Sequence, residues 1–410
     1  MQLNRSLKMA SSLVLLAVFL WLGTNASFYN EALISAFFAL ALASVVLIHF
    51  RVRPSGLDGL LVLGCAALLA VVDFRWLHFK PAIVSWLSFA GFSSLFVLGL
   101  RTVWSEAKNQ RLLFLAFIPA ALFVGSEYFA DSFLQWTSAI QPKVLDLYLY
   151  SFDGSLHLQL PFLLGQAFAK SSTLLLTGEL FYIGLAIPIA MVYVGRLLRI
   201  GDKALPSFLA FLATGPVGIV FYNLFPALGP AHVFTQEFPW HPLSISEISR
   251  LYMEPISVVG ARNAIPSLHM AWVLLVWWYS RGLSWWERLI AFLFLVFTVL
   301  ATMGTGEHYF VDLVVAFPFA VFVKAVFTFD LPPMGTRRGL AILFGVLTTL
   351  AWFGALRYLT SGFWISPALP WAACALTVGV SLIIESRLQA APNGLETKAI
   401  VANPPLEILS

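Results

Sequence analysis

Charged residues and cysteines are both scarce in this sequence, and each shortage excludes a class of protein. Only 11% of the 410 residues are charged, whereas soluble domains have roughly a quarter. The two cysteines, Cys65 and Cys374, lie inside apolar runs, so neither a disulfide framework nor a thiolate metal site is indicated. Most of the chain must therefore face something other than water, and no nucleic-acid partner is expected.

Long apolar runs are abundant instead, and they predict an all-α polytopic membrane protein. The sequence is 60% hydrophobic, with a mean hydropathy of +0.87. A bilayer core requires about 20 mostly apolar residues per helix. By this measure we predict about 12 transmembrane helices, near residues 9–25, 31–50, 56–73, 81–100, 111–130, 172–195, 206–228, 264–280, 286–304, 307–328, 339–360 and 366–385.

The placement of Lys and Arg supports this count. If the N-terminus is cytoplasmic, sixteen of the 24 lie in inner loops and seven in outer loops, with Lys324 inside a span. This asymmetry follows the positive-inside rule, and one missed helix in the middle would have scrambled it. Arg5, Lys8 and the following apolar run fit either a signal anchor or a cleaved signal peptide. Cleavage would leave the later orientation unchanged.

Two short blocks carry residues suited to catalysis. One runs from Ala264 to His269 (AIPSLH) and the other from Gly306 to Asp312 (GEHYFVD), and each opens an apolar span. One crossing inward and one crossing outward separate the two histidines, so both are expected at the same outer membrane face. Both lie near a predicted helix start, where free amides and the helix dipole favour an anion. His308 and Asp312 are four residues apart and so share a helical face.

These are the groups that phosphoryl transfer through a histidine requires. One neutral imidazole attacks phosphorus, a carboxylate orients it, and a second histidine protonates the leaving alkoxide. Ser267 and the helix-start amides would hold the phosphoryl oxygens. The competing interpretation is ordinary polar groups at a membrane interface, although ionisable groups within spans are costly and usually functional. A zinc site is less favoured, because neither HExxH nor another metalloenzyme spacing is present, and no cofactor is expected.

The PSLH and HYFVD sequences of these blocks resemble the second and third motifs of the type 2 phosphatidic acid phosphatase superfamily. The closer likeness is to its inositol phosphorylceramide synthase branch, the target of aureobasidin, and to bacterial relatives of that branch. The segment from Tyr222 to Pro230 (YNLFPALGP) is similar to the region of the first motif, and Ser151 to Leu156 (SFDGSL) to an interfacial segment that precedes the core. The resemblance implies that His308 is the nucleophile that forms a phosphohistidine, Asp312 its partner and His269 the general acid.

The resemblance covers roughly residues 112–328 and sets the expected domain organisation. Residues 1–105 would hold about four N-terminal transmembrane helices, and residues 112–328 a six-helix phosphatidic acid phosphatase-like catalytic core. Residues 335–386 would add two C-terminal helices. Residues 387–410 form a polar tail without a pattern, for which we expect disorder.

The sequence also departs from the phosphatase motifs. The Lys and Arg of the first motif are missing, Leu268 replaces the glycine of PSGH, and Thr302 stands where the third motif has an arginine. A phosphodiester carries about one charge against nearly two for a monoester, so it needs fewer cations. The departures therefore favour transfer of a phosphodiester headgroup. Arg262 fits either a phosphate contact or a membrane-flanking charge, and Tyr309 is a further candidate substrate contact.

The leading hypothesis is a lipid phosphotransferase with its active site on the non-cytoplasmic face. It would move a phosphorylated headgroup, plausibly inositol phosphate from phosphatidylinositol, to the hydroxyl of an acceptor lipid such as a ceramide. The first alternative is a lipid phosphate or diphosphate phosphatase of the same superfamily. The second is a transporter or flippase, which would require paired charges near the bilayer midplane. Lys324 is a charge deep in a span, but the sequence reveals no acidic partner, and it does not indicate the oligomeric state.

Overall fold

The protein is helical along nearly all of the chain that its computed structural model describes. The described residues are 4–25, 35–52, 54–77, 83–332 and 337–389. The tail was predicted over residues 387–410. Its first three residues are helical, since the last helix continues to Gln389, and the rest of the predicted tail lies outside the described residues.

Eighteen α-helices are assigned within the described residues. Helices α1 to α5 are Arg5–Gly23, Ala36–Arg51, Gly56–Val72, Ile83–Trp104 and Ala107–Ile140. Helices α6 to α10 are Asp146–Ser155, Leu160–Lys170, Ser172–Ile183, Ala186–Ile200 and Leu205–Leu224. Helices α11 to α15 are Pro230–Val233, Ile245–Ile248, Leu268–Tyr279, Trp285–Gly304 and Phe310–Val326. Helices α16 to α18 are Arg337–Tyr358, Thr360–Phe363 and Ala368–Gln389.

Two irregular turns and one small sheet complete the described secondary structure. A π-helical turn, Asp73–Leu77, continues α3, and a 3-10 turn, Gly201–Ala204, separates α9 from α10. The strands β1 (Lys143–Val144) and β2 (Ile256–Ser257) pair antiparallel, with Lys143 opposite Ser257. This pair ties the start of α6 to the long loop that precedes α13.

Eight stretches of the described chain are long and apolar enough to cross a membrane, which supports a polytopic membrane protein. They are Arg5–Gly23, Gly56–Arg75, Val84–Trp104, Asn109–Ile140, Ala186–Leu224, Trp285–Gly304, Arg337–Tyr358 and Ala368–Gln389. The predicted count of twelve is not confirmed. The predicted spans near 31–50, 264–280 and 307–328 contain helices of 16, 12 and 17 residues, and two others share the stretch Ala186–Leu224.

One predicted span has a different structure from the expected single helix. The sequence predicts a helix over 172–195, whereas the chain forms α8 and then α9, with turns at Gly184 and Leu185 between them. Apolar residues continue through the break, so hydropathy does not mark it. The helix-breaking signal is local, because Gly184 and the nearby Pro188 both weaken a continuous helix.

The chain divides into two compact units. The first contains Met1–Phe133, Glu179–Phe208 and Tyr279–Phe294. In this unit the carboxylate of Glu287 is buried and pairs with two arginines. Its oxygens lie 2.7 Å from the Arg51 guanidinium and 3.6 Å from the Arg199 guanidinium. The same carboxylate accepts from the amide of Ser284, the residue before α14, at 2.9 Å.

The second unit contains Leu134–Gly178, Leu209–Trp278 and Leu295–Ser410, and all the candidate catalytic residues belong to it. Its centre is α15, a helix that is apolar on every side and buried over most of its length. Such a helix requires packing partners on all sides. The C-terminal helices α16 and α18 pack on it, and α6 lies near its N-terminal end. The candidate site is therefore assembled at the start of α15.

Candidate active site

Three loop segments meet at the start of α15. They are residues 226–231 after α10, residues 260–267 before α13, and residues 305–309 before α15. The amides of Asn263 and Ala264 donate to the Ala227 carbonyl at 3.0 and 3.1 Å, and the Ala231 amide donates to the Gly306 carbonyl at 2.9 Å. These bonds join the two catalytic blocks of the sequence through the segment that resembles the first motif.

His308 lies in the loop before α15 and not on the helix itself, because α15 begins at Phe310. Its amide donates to the Thr302 carbonyl at 3.0 Å, which fixes the backbone where α14 ends. The side chain is buried, and its Nδ1 atom lies 3.5 Å from Oδ2 of Asp312. The expected pairing of histidine and carboxylate is therefore present, although it links a loop residue to a helix residue.

Asp312 is buried in the first turn of α15. Its Oδ2 accepts a hydrogen bond from the Tyr309 amide at 2.8 Å, so the carboxylate caps the helix and faces His308 at the same time. The backbone carbonyl of Asp312 also accepts from the Ser267 amide at 3.2 Å. One residue thus connects the two blocks that the sequence separates by about forty positions.

Ser267 and His269 complete the group on the other side of His308. The Ser267 Oγ atom lies 3.1 Å from His308 Nε2, and both side chains are buried. The His269 ring lies 6.5 Å from the His308 ring between centroids, in an edge-on arrangement, and 6.0 Å from the Trp272 ring. The structure therefore brings His269, His308, Asp312 and Ser267 together, as the sequence predicts.

Arg262 is part of the same assembly but has a different environment from a phosphate-binding arginine. Its guanidinium donates to the carbonyls of Gln141 at 2.8 Å, Pro142 at 3.0 Å and Gly260, and the side chain is 2% exposed. Burial lowers the pKa of this guanidinium, while the nearby Asp146 raises it. The guanidinium N–H groups of Arg262 donate to backbone carbonyls. This geometry favours a role in holding the loops together over a contact with phosphate.

Two carboxylates of α6 adjoin the site, and neither has a chemical role that could be predicted from the sequence. Asp153 accepts from the amides of Phe310 at 2.7 Å and Val311 at 3.2 Å. Asp146 accepts from the amides of Leu228 at 3.1 Å and Gly229 at 2.9 Å. Burial raises the pKa of Asp146 to about 7 and that of Asp153 well above its ordinary value, against the opposing effect of these amides. Their seven-residue spacing on one helix face was the available signal.

The backbone amides at the start of α15 therefore already donate hydrogen bonds to carboxylates. The sequence predicts anion-binding amides at both helix starts, but Tyr309, Phe310 and Val311 donate to the carboxylates of Asp312 and Asp153. The start of α13 differs, because there the Met270 amide donates to the Ser267 hydroxyl, at 3.3 Å.

Comparison with known proteins places this geometry in a family context. Residues 147–326 match the PAP2 superfamily. The match covers the segment from α6 to the end of α15 and includes every candidate catalytic residue. It supports the superfamily and lipid phosphatase- or phosphotransferase-type chemistry. No curated protein and no solved structure matches the chain.

Because the chain matches the PAP2 superfamily, its site can be compared with the phosphatase motifs, and it has fewer cations than they do. Thr302, which replaces an arginine of the phosphatases, is buried, and its hydroxyl donates to the Thr298 carbonyl at 2.8 Å. Over the described part of the chain, no Lys or Arg side chain pairs with His308 or Asp312. Tyr309 is buried, with its hydroxyl in the electrostatic reach of Asp146. Within the described residues, no group of three or more metal-ligating side chains is arranged around a common point.

Proposed function

We propose that this protein is a membrane-bound lipid phosphotransferase that moves a phosphorylated headgroup, such as the inositol phosphate of phosphatidylinositol, to the hydroxyl of an acceptor lipid. The observation that carries the proposal is the placement of the two ring nitrogens of His308. Nδ1 lies beside Asp312, while Nε2 points to Ser267 at the start of α13. A proton on Nδ1 leaves the Nε2 lone pair directed to the position where amides bind anions.

The first half-reaction forms a bond between His308 Nε2 and phosphorus. The bond between phosphorus and the diacylglycerol oxygen breaks, and the leaving alkoxide takes a proton from His269. Asp312 stabilises the positive charge that develops on the imidazole ring. Ser267 and the α13 amides hold the phosphoryl oxygens.

The second half-reaction reverses these steps with another alcohol. The acceptor hydroxyl attacks phosphorus, its proton passes to His269, and the bond between phosphorus and His308 breaks. The headgroup phosphate is a diester before and after the transfer and has one ester bond and one P–N bond in the intermediate, so its free oxygens carry about one negative charge at each stage. This low charge agrees with a site in which, over the described residues, no Lys or Arg pairs with His308 or Asp312. Both substrates are lipids, and the candidate residues lie at the ends of apolar helices, which supports a site open to the membrane on the non-cytoplasmic face.

The test uses purified protein and phosphatidylinositol that carries radiolabelled phosphate. We expect acid-labile label on the protein, its loss on addition of ceramide, and formation of a labelled inositol phosphate-containing sphingolipid. His308→Ala abolishes the labelled enzyme, whereas His269→Gln slows its formation by about 10²- to 10⁴-fold.

Two controls separate this function from its alternatives. Release of inorganic phosphate from phosphatidic acid without any acceptor would assign the protein to the hydrolases of the superfamily. Full turnover by His308→Ala would remove the phosphohistidine from the mechanism. Arg262→Lys serves as the structural comparison, because loss of its carbonyl contacts lowers stability without selecting against one substrate.

A further inference from the structure

Helix α6 carries two buried carboxylates that the proposed chemistry does not use. Asp146 is its first residue and Asp153 lies in its last turn, so the two side chains share one face about two turns apart. Both are almost fully buried. A buried carboxylate is costly unless hydrogen bonds compensate for the lost water. Each of the two accepts backbone amides from the segments that form the candidate site, and Asp146 also interacts with the Tyr309 side chain.

Asp153 acts on the start of α15. The first amides of a helix have no partner within the helix, and those of Phe310 and Val311 both donate to this single carboxylate, at 2.7 and 3.2 Å. The carboxylate therefore caps α15 from a different helix and determines where α15 begins. His308 is only two residues before that point.

Asp146 acts on the segment that supports His308 from the other side. It holds the amides of Leu228 and Gly229. Gly229 has a φ of +121°, and a Cβ atom there would lie 2.3 Å from the Glu307 carbonyl oxygen. This close approach, with the bond from Ala231 to Gly306, presses the 228–231 segment against the two residues that precede His308.

We propose that Asp153 and Asp146 are positioning residues of the transfer reaction, which hold the backbone after and before His308 so that its Nε2 faces the phosphorus atom. The inference rests on the proposed phosphohistidine chemistry and adds residues to it. Neither carboxylate touches the reacting atoms. Their contribution belongs to the rate of the chemical step, since a displacement of about 1 Å at a reacting group costs on the order of 10²-fold in rate.

The experiment separates the rate of phosphoenzyme formation from the amount of competent enzyme. Purified full-length protein is mixed rapidly with labelled phosphatidylinositol, and the rate constant and amplitude of the first turnover are recorded. Asp153→Asn keeps the side-chain volume but places an amide NH2 against a backbone donor. We expect its rate constant to fall about 10- to 100-fold with an amplitude close to that of the wild type. Asp146→Asn should lower the rate constant in the same direction but less, because it acts through the 228–231 segment.

A matched control uses another buried carboxylate of the same unit. Glu385 pairs with Lys324 at the opposite end of α15 from His308. Glu385→Gln should lower thermal stability or amplitude while the rate constant stays at the wild-type value. A purely structural role for Asp153 would give this pattern instead.

A second variant removes the donor and leaves Asp153 in place. Phe310 is the first residue of α15, a position that tolerates proline, and Tyr309 before it has the extended backbone that proline requires. Phe310→Pro deletes the amide that donates at 2.7 Å, and Phe310→Ala controls for the loss of the ring contact with Trp371. The proline variant should have the lower rate constant, and this comparison decides the question if Asp153→Asn does not fold.

The outcomes distinguish this inference from the proposed function. Phosphoenzyme in the wild type, with an unchanged rate constant in Asp153→Asn, or equal rates in the two Phe310 variants, would overturn the positioning role alone. Label on the protein that persists in His308→Ala, or no label in the wild type, would overturn both. A lowered rate constant at constant amplitude supports the inference.

Discussion

Ser267 links the two halves of the candidate site through separate groups on one residue. Its amide donates to the Asp312 carbonyl, and its hydroxyl lies 3.1 Å from His308 Nε2. Ser267→Ala keeps the first contact and removes the second, together with the hydrogen bond that the hydroxyl accepts from the Met270 amide. We expect correct folding and a fall in turnover of about 10²-fold, the usual cost of removing one hydrogen-bond donor that stabilises transition-state charge. First-turnover kinetics with labelled phosphatidylinositol measures it, and unchanged turnover would place the phosphoryl group elsewhere.

The pair of His232 and Glu307 makes stability depend on pH near neutrality. The two side chains are 3.2 Å apart, and the hydrogen bond that His232 donates to the Glu307 carboxylate raises the pKa of His232, with burial acting against it. A histidine with a raised pKa contributes stability that is complete below its unfolded value of about 6.5 and is lost as pH rises through the folded-state pKa. Glu307→Gln should therefore lower thermal stability more at pH 6 than at pH 8.5.

The control for this pair is His232→Gln, which removes the titrating group. That variant should show the same stability difference from the wild type as Glu307→Gln at pH 6, and the two losses should not add in the double variant. An equal loss for Glu307→Gln at both pH values would show that His232 does not titrate in this range.

At the scale of single residues, the sequence predicted which candidate residues lie together better than it predicted the contacts around each of them. Each of the two sequence blocks is followed by a short apolar helix, and its polar residues stand at the start of that helix. The structure brings four of these residues together: His269, His308, Asp312 and Ser267. The environment of Arg262 could not be predicted, since two of its three carbonyl partners, those of Gln141 and Pro142, come from a segment about 120 positions away in the sequence. The spacing of Asp146 and Asp153 indicates that they share a helix face, but it does not reveal the partners of Asp153, because these are backbone amides.

At the scale of helices, the described structure supplies the acidic partner that the sequence did not reveal for Lys324. Glu385 of α18 pairs with Lys324 of α15, and both side chains are buried. The ammonium group also lies 5.6 Å from the Trp278 ring centre. Lys324 is in the last turn of α15, far from His308, and Glu385 is near the end of α18. The pair is thus at helix ends, and a transporter would need it near the midplane.

Replacement of this pair tests whether it has a structural role or carries a transported charge. Lys324→Met alone leaves a buried unpaired carboxylate and should destabilise the protein by about 3–5 kcal/mol. The double variant Lys324→Met/Glu385→Leu should regain most of that stability, because well-packed apolar residues often replace a buried ion pair without loss. Thermal unfolding in detergent measures both. Transfer activity should persist in the double variant, and its loss there would contradict a structural pair.

Helix boundaries show which part of the fold depends on long-range packing. Every predicted span contains at least one helix, because an apolar run of this length has few other solutions in a membrane. The start of α15 was predicted at His308 but lies at Phe310, where Asp153 and Asp312 cap it. The sequence did not predict helix α6 as a helix, and only its residues from Ser151 onward were expected to form an interfacial segment. Its buried residues include carboxylates and tyrosines, so it has no apolar stripe to indicate a helix.

At the scale of the whole molecule, contacts between loops follow the sides that the Lys and Arg count assigns. In the first unit, ion pairs connect Glu287 with Arg51 and Arg199, and Arg111 with Asp202, and all five residues belong to loops assigned to the inner side. In the second unit, the segments around Asp146, Leu228 and His308 contact one another and are all assigned to the outer side. An odd number of missing crossings would have separated these partners.

Helix α13 provides the most direct test of the twelve predicted spans. Its 12 residues measure only about 18 Å, against a hydrocarbon core of about 30 Å, so the crossing near 264–280 needs the extended residues before the helix as well. Cysteines are placed singly at Val259 and Trp285, which are both exposed, in a Cys65→Ala/Cys374→Ala background. A membrane-impermeant maleimide should label Val259→Cys in intact cells and Trp285→Cys only after permeabilisation. Lys203→Cys, in another predicted inner loop, should behave like Trp285→Cys. Labelling of Val259→Cys and Trp285→Cys from the same side would show that this segment does not cross, and His269 would then no longer be expected at the same face as His308.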